Sequence, residues 1–364
     1  MEKAKMAMEP ISFGIVGAGW RSEFYLRIAK ALPERFQVTG MVVRNAEKRP
    51  RFEQTWGVKT FATLDEMLAA TSPSFVLSSV SWAANPGYLK ELTERGMPVL
   101  SETPPAPDLP GLIEVNELTA KGGRIQVAEQ YHAQPHHAAL LALVGTGVLG
   151  RPSQAQVSVG HGYHGISLIR RFLNLGYESP KVVGYQFKSP VVVAPGWGGP
   201  QQTETVKQSQ QDFYWLDFGD RLGLLDFTDD QYFGWIRNTR ILIRGERGEI
   251  VTDRVYYLKD HRTPVELSLV RRTAGTGSNL EGNCLQGYIA GDEWIYENPC
   301  APASLADDEI AIATCLVKMD EYVRTGKDFY PLAEGSQDHY LYLLGQQSVR
   351  EGRPIQAERQ PWAS

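Results

Sequence analysis

The chain has 364 residues, 42% hydrophobic and 22% charged, an ordinary globular composition that is long enough for two domains. Its formal net charge of −5 gives no bulk attraction to nucleic acid or anionic membrane, and no apolar run approaches the length of a membrane span. Met1–Pro10 is polar and lacks an apolar signal core, so we expect a loose N-terminal arm on a cytoplasmic protein. The three cysteines, Cys284, Cys300 and Cys315, lack metal-ligand spacing, which favours idle thiols in a reducing cytosol.

The most informative stretch is Ile11–Asn45. An apolar run ends at Val16, and Gly17-Ala18-Gly19-Trp20-Arg21-Ser22 follows at once, before apolar residues at helical spacing and a second apolar run over Val38–Val43. This order predicts strand, glycine turn, helix and strand. In that context Gly17 supplies the tight turn, and Gly19 lets a pyrophosphate approach the backbone at a helix N-terminus. The third small position is Ser22, where Gly or Ala is usual.

The segments up to residue 130 alternate between strand and helix. Beyond the first unit, the predicted strands are Val58–Phe61, Phe75–Val80 and Arg124–Ala128, and the predicted helices are Ala46–Gly57, a helix through Leu64–Leu68, one through Leu89 and Leu92 that ends at Gly96, and Leu112–Ala120. Such alternation predicts a parallel, doubly wound sheet.

The pattern changes after Tyr131, where a helix through His137–Val144 is followed by β-rich segments. The predicted strands are Ser153–Val159, Lys181–Lys188, Phe213–Phe218, Arg221–Phe227, Tyr232–Arg237, Thr239–Arg244 and Val255–Leu258; Pro195–Gln211 and Thr273–Gly282 are predicted loops, and Asp307–Arg324 and Ser336–Glu351 are predicted closing helices. Together these predict a large, mostly antiparallel sheet.

The residues at the end of the second strand bear on the cofactor. An acidic residue there would hold the ribose 2′-OH of NAD, whereas an arginine accommodates the phosphate of NADP. This chain has Val43-Arg44-Asn45, and Arg44 is equally consistent with a solvated loop charge. The choice between NAD and NADP therefore stays open.

Several stretches together resemble the glucose–fructose oxidoreductase/inositol dehydrogenase (Gfo/Idh/MocA) family. They are Gly14–Gly19, Met97–Ala106, Val127–Pro135 leading to Gly147–Pro152, Gly162–Leu173 and Phe329–Pro354. The resemblance implies an N-terminal Rossmann domain, which we place at 10–130. It also implies a C-terminal α/β domain at 131–364, whose open sheet carries the substrate and often the dimer contact.

The chain departs from this family at positions that carry its chemistry. Where the family usually has Glu-Lys-Pro with a catalytic lysine, this chain has Glu102-Thr103-Pro104, and Thr103 has no ammonium group. The family also favours acidic residues near Gly160 and Ser167, around a histidine that matches His164. Of the two acidic residues and the histidine, this chain has only the histidine.

The resemblance also implies the residues of a nicotinamide site and a catalytic site. The cofactor residues implied are Gly17, Ala18, Gly19, Trp20, Arg21, Arg44, Ser79, Val80, Ser81, Asn85, Glu102, Thr103, Glu129 and Tyr340. His164 is the best general base, because an imidazole titrates near neutrality. The alternative interpretation of His164 is that its side chain caps a helix or packs in the core. Tyr131, Tyr163 and His161 are further catalytic candidates. The histidines lack the converging ligands of a zinc site, so we expect no metal.

Three functions are consistent with these residues. The first is a nicotinamide-dependent oxidoreductase acting on a pyranose sugar or glycoside. The second, favoured by the absent lysine, is an NAD-dependent glycosidase of the same family, which keeps its nucleotide tightly bound and combines oxidation, elimination and re-reduction without net redox. The third is a nucleotide-binding protein that has lost catalysis. In each case we expect a small sugar ligand, a homodimer or homotetramer, and no nucleic-acid or membrane partner.

Overall fold

The computed structural model describes residues 9–193, 195, 199–275, 277 and 279–363. Most of the predicted N-terminal arm therefore lies outside the described residues. Contacts divide the chain into two compact units. The first comprises the described residues of Met1–Gln134, Thr273–Gln286 and Asn298–Ser336, and the second comprises those of Pro135–Arg272, Gly287–Glu297 and Gln337–Ser364.

The first unit contains a six-stranded parallel sheet between helices. Its elements in chain order are β1 Ile11–Val16, α1 Ser22–Ala31, β2 Phe36–Val42, α2 Arg49–Trp56, β3 Thr60–Phe61, α3 Leu64–Ala70, β4 Phe75–Ser78, α4 Asn85–Glu94, β5 Val99–Ser101, α5 Leu109–Ala120 and β6 Ile125–Val127. The strand order is β3-β2-β1-β4-β5-β6, and every pairing is parallel. This is the doubly wound Rossmann order, in which ligands bind beyond the carboxyl ends of the strands.

The central strand β1 is apolar because helices cover both faces of a parallel sheet. Phe13 and Ile15 are fully buried, and the ring of Phe13 stacks on Phe75 of β4 with centroids 5.6 Å apart. The late helix Asp307–Thr325 belongs to this unit too, since it packs on α1, β1 and β4. A chain that returns to complete an earlier layer leaves no local signal in the sequence, and the division at residue 130 did not include it.

The remaining elements build a second sheet and its helices. They are α6 Pro135–Gly145, β7 Pro152–Ser158, α7 Gly162–Phe172, β8 Lys181–Val192, β9 Val206–Asp217, β10 Leu222–Phe227, β11 Arg240–Gly245, β12 Gly248–Val251, β13 Arg254–Leu258, β14 Pro264–Ala274, β15 Cys284–Ala290, β16 Glu293–Glu297, α9 Leu332–Glu351 and β17 Ile355–Gln356. The late helix Asp307–Thr325 of the first unit is α8 in this numbering. The sheet has eleven strands in the order β16-β15-β14-β13-β12-β11-β7-β10-β9-β8-β17. β7 pairs in parallel with β10, and the successive hairpins β8–β9, β11–β12, β12–β13 and β13–β14 are antiparallel. The two sheets confirm the predicted fold class.

One face of the large sheet is covered by helices of its own unit. A Cβ on Gly184 of β8 would lie 2.4 Å from the carbonyl oxygen of Gly345 in α9, so glycine permits this close packing. Helix α7 packs on β7 and β10, and its Arg170 donates to Asp338 of α9 at 2.6 Å, with both side chains almost fully buried. Buried charges must be paired in this way, because leaving one alone costs several kcal/mol.

The opposite face of this sheet carries exposed aromatic side chains within the second unit. Tyr185 and Phe187 of β8 are 56% and 49% exposed, and Trp215 of β9 is 36% exposed. Phe213 stacks on Trp215, with ring centroids 6.2 Å apart. Contiguous apolar patches of this kind mark interaction surfaces in soluble proteins.

The structure corrects one predicted strand and extends several others. Tyr232–Arg237 is not a strand. The chain instead makes a 3₁₀ turn over Asp229–Tyr232, because Thr228 and Gln231 form a capping box and the Gly234 N–H donates to the Asp230 carbonyl at 2.7 Å. Strand β9 begins inside the predicted loop Pro195–Gln211, part of which lies outside the described residues.

Other strands went unpredicted, and one helix begins earlier than expected. The sequence reading missed β12 and β14–β17, and it placed the start of α9 four residues too late. The predicted loop Thr273–Gly282 is shortened by the end of β14, and residues 276 and 278 within it lie outside the described residues. The alternation of apolar and polar residues in β14 is confined to Val265–Leu269 and is followed by Arg271 and Arg272, so the periodic signal is short. No helix in the described part of the chain is long and apolar enough to cross a membrane.

Candidate functional site

The glycine turn after β1 is shaped by a contact with the end of β4. Gly17 has φ +117°, and a Cβ built on it would lie 1.9 Å from the carbonyl oxygen of Ser79. Its N–H donates to the carbonyl of Val42 at 3.2 Å. Neither the dihedral angle nor the space admits a side chain, so glycine is required here.

Ser22 explains the departure from the usual glycine pattern. It is fully buried at the first position of α1, and its hydroxyl bonds to the Gly17 carbonyl at 3.2 Å and to the Ser79 hydroxyl at 3.1 Å. A third small residue is needed for close helix–strand packing. The serine is small enough for that, and it satisfies two polar groups as well.

The other side of the turn is open, as a phosphate site requires. A Cβ on Gly19 would meet no atom within 4 Å, and among the described residues no backbone carbonyl accepts from the N–H groups of Ala18 and Gly19. These groups stand at the N-terminus of α1, where free N–H donors favour an anion. The turn therefore fits the pyrophosphate of a dinucleotide.

Arg21 and Glu102 form a partly shielded ion pair beside this turn. Arg21 Nε donates to Glu102 Oε1 at 2.8 Å, and Nη1 donates to Asp308 of α8 at 2.9 Å. The Tyr25 hydroxyl also donates to Glu102 Oε1, at 2.5 Å. Burial opposes the charge on Arg21, but Glu102 and Asp308 outweigh it and raise its pKa. Burial and Glu102 raise the pKa of Tyr25, so its hydroxyl stays protonated.

Asn85 connects the carboxyl ends of two strands. Its Oδ1 accepts from the Ser78 hydroxyl of β4 at 2.7 Å, and its Nδ2 donates to the Ser101 hydroxyl of β5 and to the Pro105 carbonyl, both at 2.9 Å. Asn85 is buried, so its amide supports the strand ends beneath the predicted cofactor residues.

The remaining predicted cofactor residues of the first unit differ in exposure. Trp20 is 66% exposed and meets Phe24 edge-on, and Ser81 is exposed next to the half-buried Val80. Arg44 is exposed directly after β2. These positions border the carboxyl end of the sheet.

The ends of β5 and β6 carry the other predicted residues. The Thr103 N–H donates to Glu102 Oε2 at 3.4 Å. Glu129 is buried, and its Oε1 accepts from the Tyr131 N–H at 3.0 Å. Tyr131 itself is buried at the start of a 3₁₀ turn.

The predicted catalytic histidine belongs to the second unit and lies inside a helix. His164 is the third residue of α7 and is 5% exposed. Its ring centroid lies 4.4 Å from that of Tyr163 and 4.9 Å from that of His161. The structure thus brings three of the four predicted catalytic side chains together.

His161 is half-buried between two tyrosine hydroxyls. Its Nδ1 lies 2.5 Å from the Tyr232 hydroxyl and its Nε2 lies 3.3 Å from the Tyr163 hydroxyl. Burial, together with His164, lowers the pKa of His161 to about 3. Its imidazole is therefore neutral at physiological pH and is a poor proton acceptor, since an efficient general base has a pKa near the working pH.

Sequence reasoning missed Tyr232 and Asp308, and it assigned Tyr340 to the cofactor. Tyr232 fell in the wrongly predicted strand, and Asp308 is 287 positions from Arg21, with no motif connecting them. Tyr340 is buried in the second unit, where its hydroxyl accepts from the Glu358 N–H at 2.9 Å.

Among the described residues, no group of three or more His, Cys, Asp or Glu side chains is placed to hold a metal ion.

Comparison with known families gives a match to part of the first unit. The profile of GFO_IDH_MocA, an oxidoreductase family with an NAD-binding Rossmann fold, matches residues 11–131. The predicted resemblance is thereby confirmed, and so is a nicotinamide nucleotide as the kind of cofactor that this family binds. No curated protein matches the sequence significantly.

Solved structures share the fold over almost the whole chain. An oxidoreductase from Agrobacterium radiobacter, in complex with NAD⁺, L-tartaric acid and magnesium, is 14% identical with a TM-score of 0.69, covering 96% of this chain and 98% of that one. The WlbA dehydrogenase from Bordetella pertussis, in complex with NADH and UDP-GlcNAcA, is 18% identical with a TM-score of 0.63, covering 96% and 100%. A myo-inositol dehydrogenase from Corynebacterium glutamicum is 14% identical with a TM-score of 0.65 over the same shares.

The open space at Gly19 makes its substitution a clean test of nucleotide binding. Gly19→Val should fold normally, because its Cβ meets no protein atom, and should lose at least about tenfold in NAD(P)H affinity, because the branched side chain occupies the pyrophosphate position. Isothermal titration calorimetry measures the affinity, and thermal unfolding checks the fold. Gly145→Val, at another glycine with open surroundings, is the control. An unchanged affinity in a folded Gly19→Val protein would contradict the assignment.

Proposed function

We propose that this protein is a nicotinamide-dependent oxidoreductase that acts on a pyranose sugar or glycoside. The observation that carries the proposal is the open glycine turn of Gly17–Ser22, at the carboxyl end of the central strand of a Rossmann sheet. Structural relatives that include a myo-inositol dehydrogenase and a dehydrogenase in complex with UDP-GlcNAcA support a polyol or sugar as substrate.

The histidine–tyrosine cluster of α7 supplies the groups for proton transfer. A nicotinamide nucleotide held at the Gly17–Ser22 turn would supply the hydride acceptor for the substrate carbon. Thr103 has no titratable group, so we assign the hydroxyl proton to His164. His161, held neutral between Tyr163 and Tyr232, uses both ring nitrogens on their hydroxyls and so positions these two tyrosines near His164.

Replacing His164 tests this assignment. His164→Ala should lower turnover by roughly 10²–10⁴-fold, the usual contribution of a general base, while NAD(P)H affinity stays nearly unchanged. The measurement is turnover on a panel of p-nitrophenyl glycosides and free sugars with added NAD(P)⁺, following both reduced cofactor and released p-nitrophenol. The control is His136→Ala, since His136 of α6 bonds Asp253 and lies outside the cluster.

The same assay separates the candidate functions. Accumulation of reduced cofactor supports net oxidation, and release of p-nitrophenol without it supports the NAD-dependent glycosidase. If neither product forms with any substrate, the result favours the third candidate, a nucleotide-binding protein that has lost catalysis. A folded His164→Ala protein within about threefold of wild type would contradict the assignment to His164 and favour Tyr131 or Tyr163 instead, given the size expected for a lost base.

We further propose that Arg44 sets the cofactor preference. Its exposed guanidinium directly follows β2, where an NADP phosphate is held in Rossmann proteins. Arg44→Ala should weaken NADP binding by about 1–3 kcal/mol more than NAD binding, the scale of a lost charged hydrogen bond. Calorimetry with both nucleotides measures this, with Arg51→Ala as the exposed arginine control. Equal losses for both nucleotides would make Arg44 a general adenine contact, and no loss would make it a surface charge.

The exposed sheet face supports a homodimer or homotetramer. Beside the aromatic patch, this face carries Arg240 paired with Asp226 and Arg244 paired with Glu249. A face with apolar groups and both signs of charge can pair with a second copy of itself across a two-fold axis.

A charge in the aromatic patch should break such an oligomer. Trp215→Lys should yield monomers by sedimentation velocity, because a buried lysine would lack a partner at the interface. Trp235→Lys is the control, because Trp235 is 76% exposed and lies outside the sheet. A monomeric wild-type protein, or an unchanged mass for Trp215→Lys, would contradict the proposal.

A further inference from the structure

The second unit contains a large cleft that the proposed chemistry does not account for. It lies between the β8–β9 hairpin and α9, and His161 lines one end of it. We call it the polar cleft and define it by Gln186, Gln210, Asp212, Tyr342 and Gln346, which all line it. Its volume is about 1070 Å³. Ligand pockets run from about 300 to 1,000 Å³, so this cleft exceeds what one sugar ring needs.

The strand register explains why the cleft wall is polar. Gln186 pairs with Asp212 and Lys188 pairs with Gln210 across the β8–β9 hairpin. Directly opposed residues lie on the same face, and residues two apart in a strand share it. The wall therefore presents amides and a carboxylate at successive inward positions, where a core-forming strand would present apolar side chains.

These polar groups are oriented by one another and retain bonding capacity. Gln186 Nε2 donates to Asp212 Oδ1 at 2.8 Å, and Gln346 Nε2 donates to the Tyr342 hydroxyl at 2.8 Å. In the part of the chain that the structure describes, each bond uses one N–H of a primary amide. The amide oxygen and the second N–H of each glutamine stay available as acceptor and donor. Vicinal hydroxyl groups need such paired donors and acceptors.

The aromatic residues and charges narrow the ligand class. Burial, with Asp212 and Asp229, raises the pKa of Tyr342 to about 12, so its ring carries a neutral hydroxyl over the cleft. Lys207 is already paired with Asp230 at 2.7 Å. The lining carboxylates Asp212, Asp229 and Asp230 outnumber the cations Lys207 and Arg350. A wall with excess negative charge disfavours a diphosphate.

We infer that the polar cleft binds one or more uncharged sugar rings attached to the reacting sugar. The inference rests on the proposed action on a sugar or glycoside and specifies its substrate class as a neutral oligosaccharide or extended glycoside. A free monosaccharide would leave the cleft unused. A nucleotide sugar would place its phosphates against carboxylates.

The test compares ligand classes on the full chain with bound NADH. A glycan array carrying neutral and sialylated oligosaccharides identifies the neutral oligosaccharide that binds best, and calorimetry then compares it with its monosaccharide and with UDP-glucose. We expect the oligosaccharide to bind at least tenfold more tightly than either.

Two neighbouring glutamines of α9 provide the matched variants. Gln346→Ala should weaken oligosaccharide binding about tenfold, while monosaccharide and NADH affinities stay the same. Gln347→Ala should change none of these, because Gln347 bonds Glu351 and does not line the cleft. A second variant, Asp212→Asn, keeps a polar side chain on the cleft wall but removes the carboxylate charge, and its oligosaccharide affinity is measured in the same way.

Three results would overturn the inference: no neutral oligosaccharide binds, UDP-glucose binds more tightly, or Gln346→Ala binds the oligosaccharide as wild type does. These results are distinguishable from failure of the proposed function, which would appear as loss of NADH binding or as no reaction with any sugar. If monosaccharides reduce the cofactor but no neutral oligosaccharide binds in the polar cleft, the inference is overturned and the proposed function stays intact.

Discussion

The approach of residue 17 to the Ser79 carbonyl is the constraint on which the cofactor site depends. The carbonyl oxygen occupies the place where a Cβ would lie, and the positive φ of Gly17 directs the chain from β1 into α1. Ser22 then completes the contact by bonding both Gly17 and Ser79. Because these contacts fix one side of the turn, its other side stays open at Gly19. The same geometry therefore determines helix packing and creates room for a phosphate.

A charged cluster supports this turn from within the first unit. Arg21 connects Glu102, at the end of β5, with Asp308 on α8, and Tyr25 adds a third bond to the same region. Isolated charges in such shielded positions would cost several kcal/mol, so each partner requires the others. Glu102 and Arg21 are consequently bonded to one another, whereas no backbone carbonyl among the described residues accepts from the N–H groups of Ala18 and Gly19 in the turn. Thr103 borders this cluster without adding a charge.

The second unit uses its polar residues in two ways. At the start of α7, ring contacts join His161, Tyr163 and His164, and burial lowers the pKa of His161. Along β8 and β9, inward positions carry amides and a carboxylate and form an open cleft. His161 belongs to both features, so a ligand in the cleft would contact the segment that holds the candidate base.

The sequence by itself determined the Rossmann fold and its glycine turn, because these depend on local signals: an apolar run, glycines at fixed spacing and helical periodicity within about thirty residues. It also indicated a second, antiparallel sheet, although the predicted strand at Tyr232–Arg237 was wrong and strands β12 and β14–β17 were missed. The tertiary structure alone decided which polar residues meet. Arg21 and Asp308 are 287 positions apart, and Tyr232 reaches His161 through a capped turn whose bonds have no periodicity. Such pairings depend on how distant segments pack, and a single sequence carries no local signal for that.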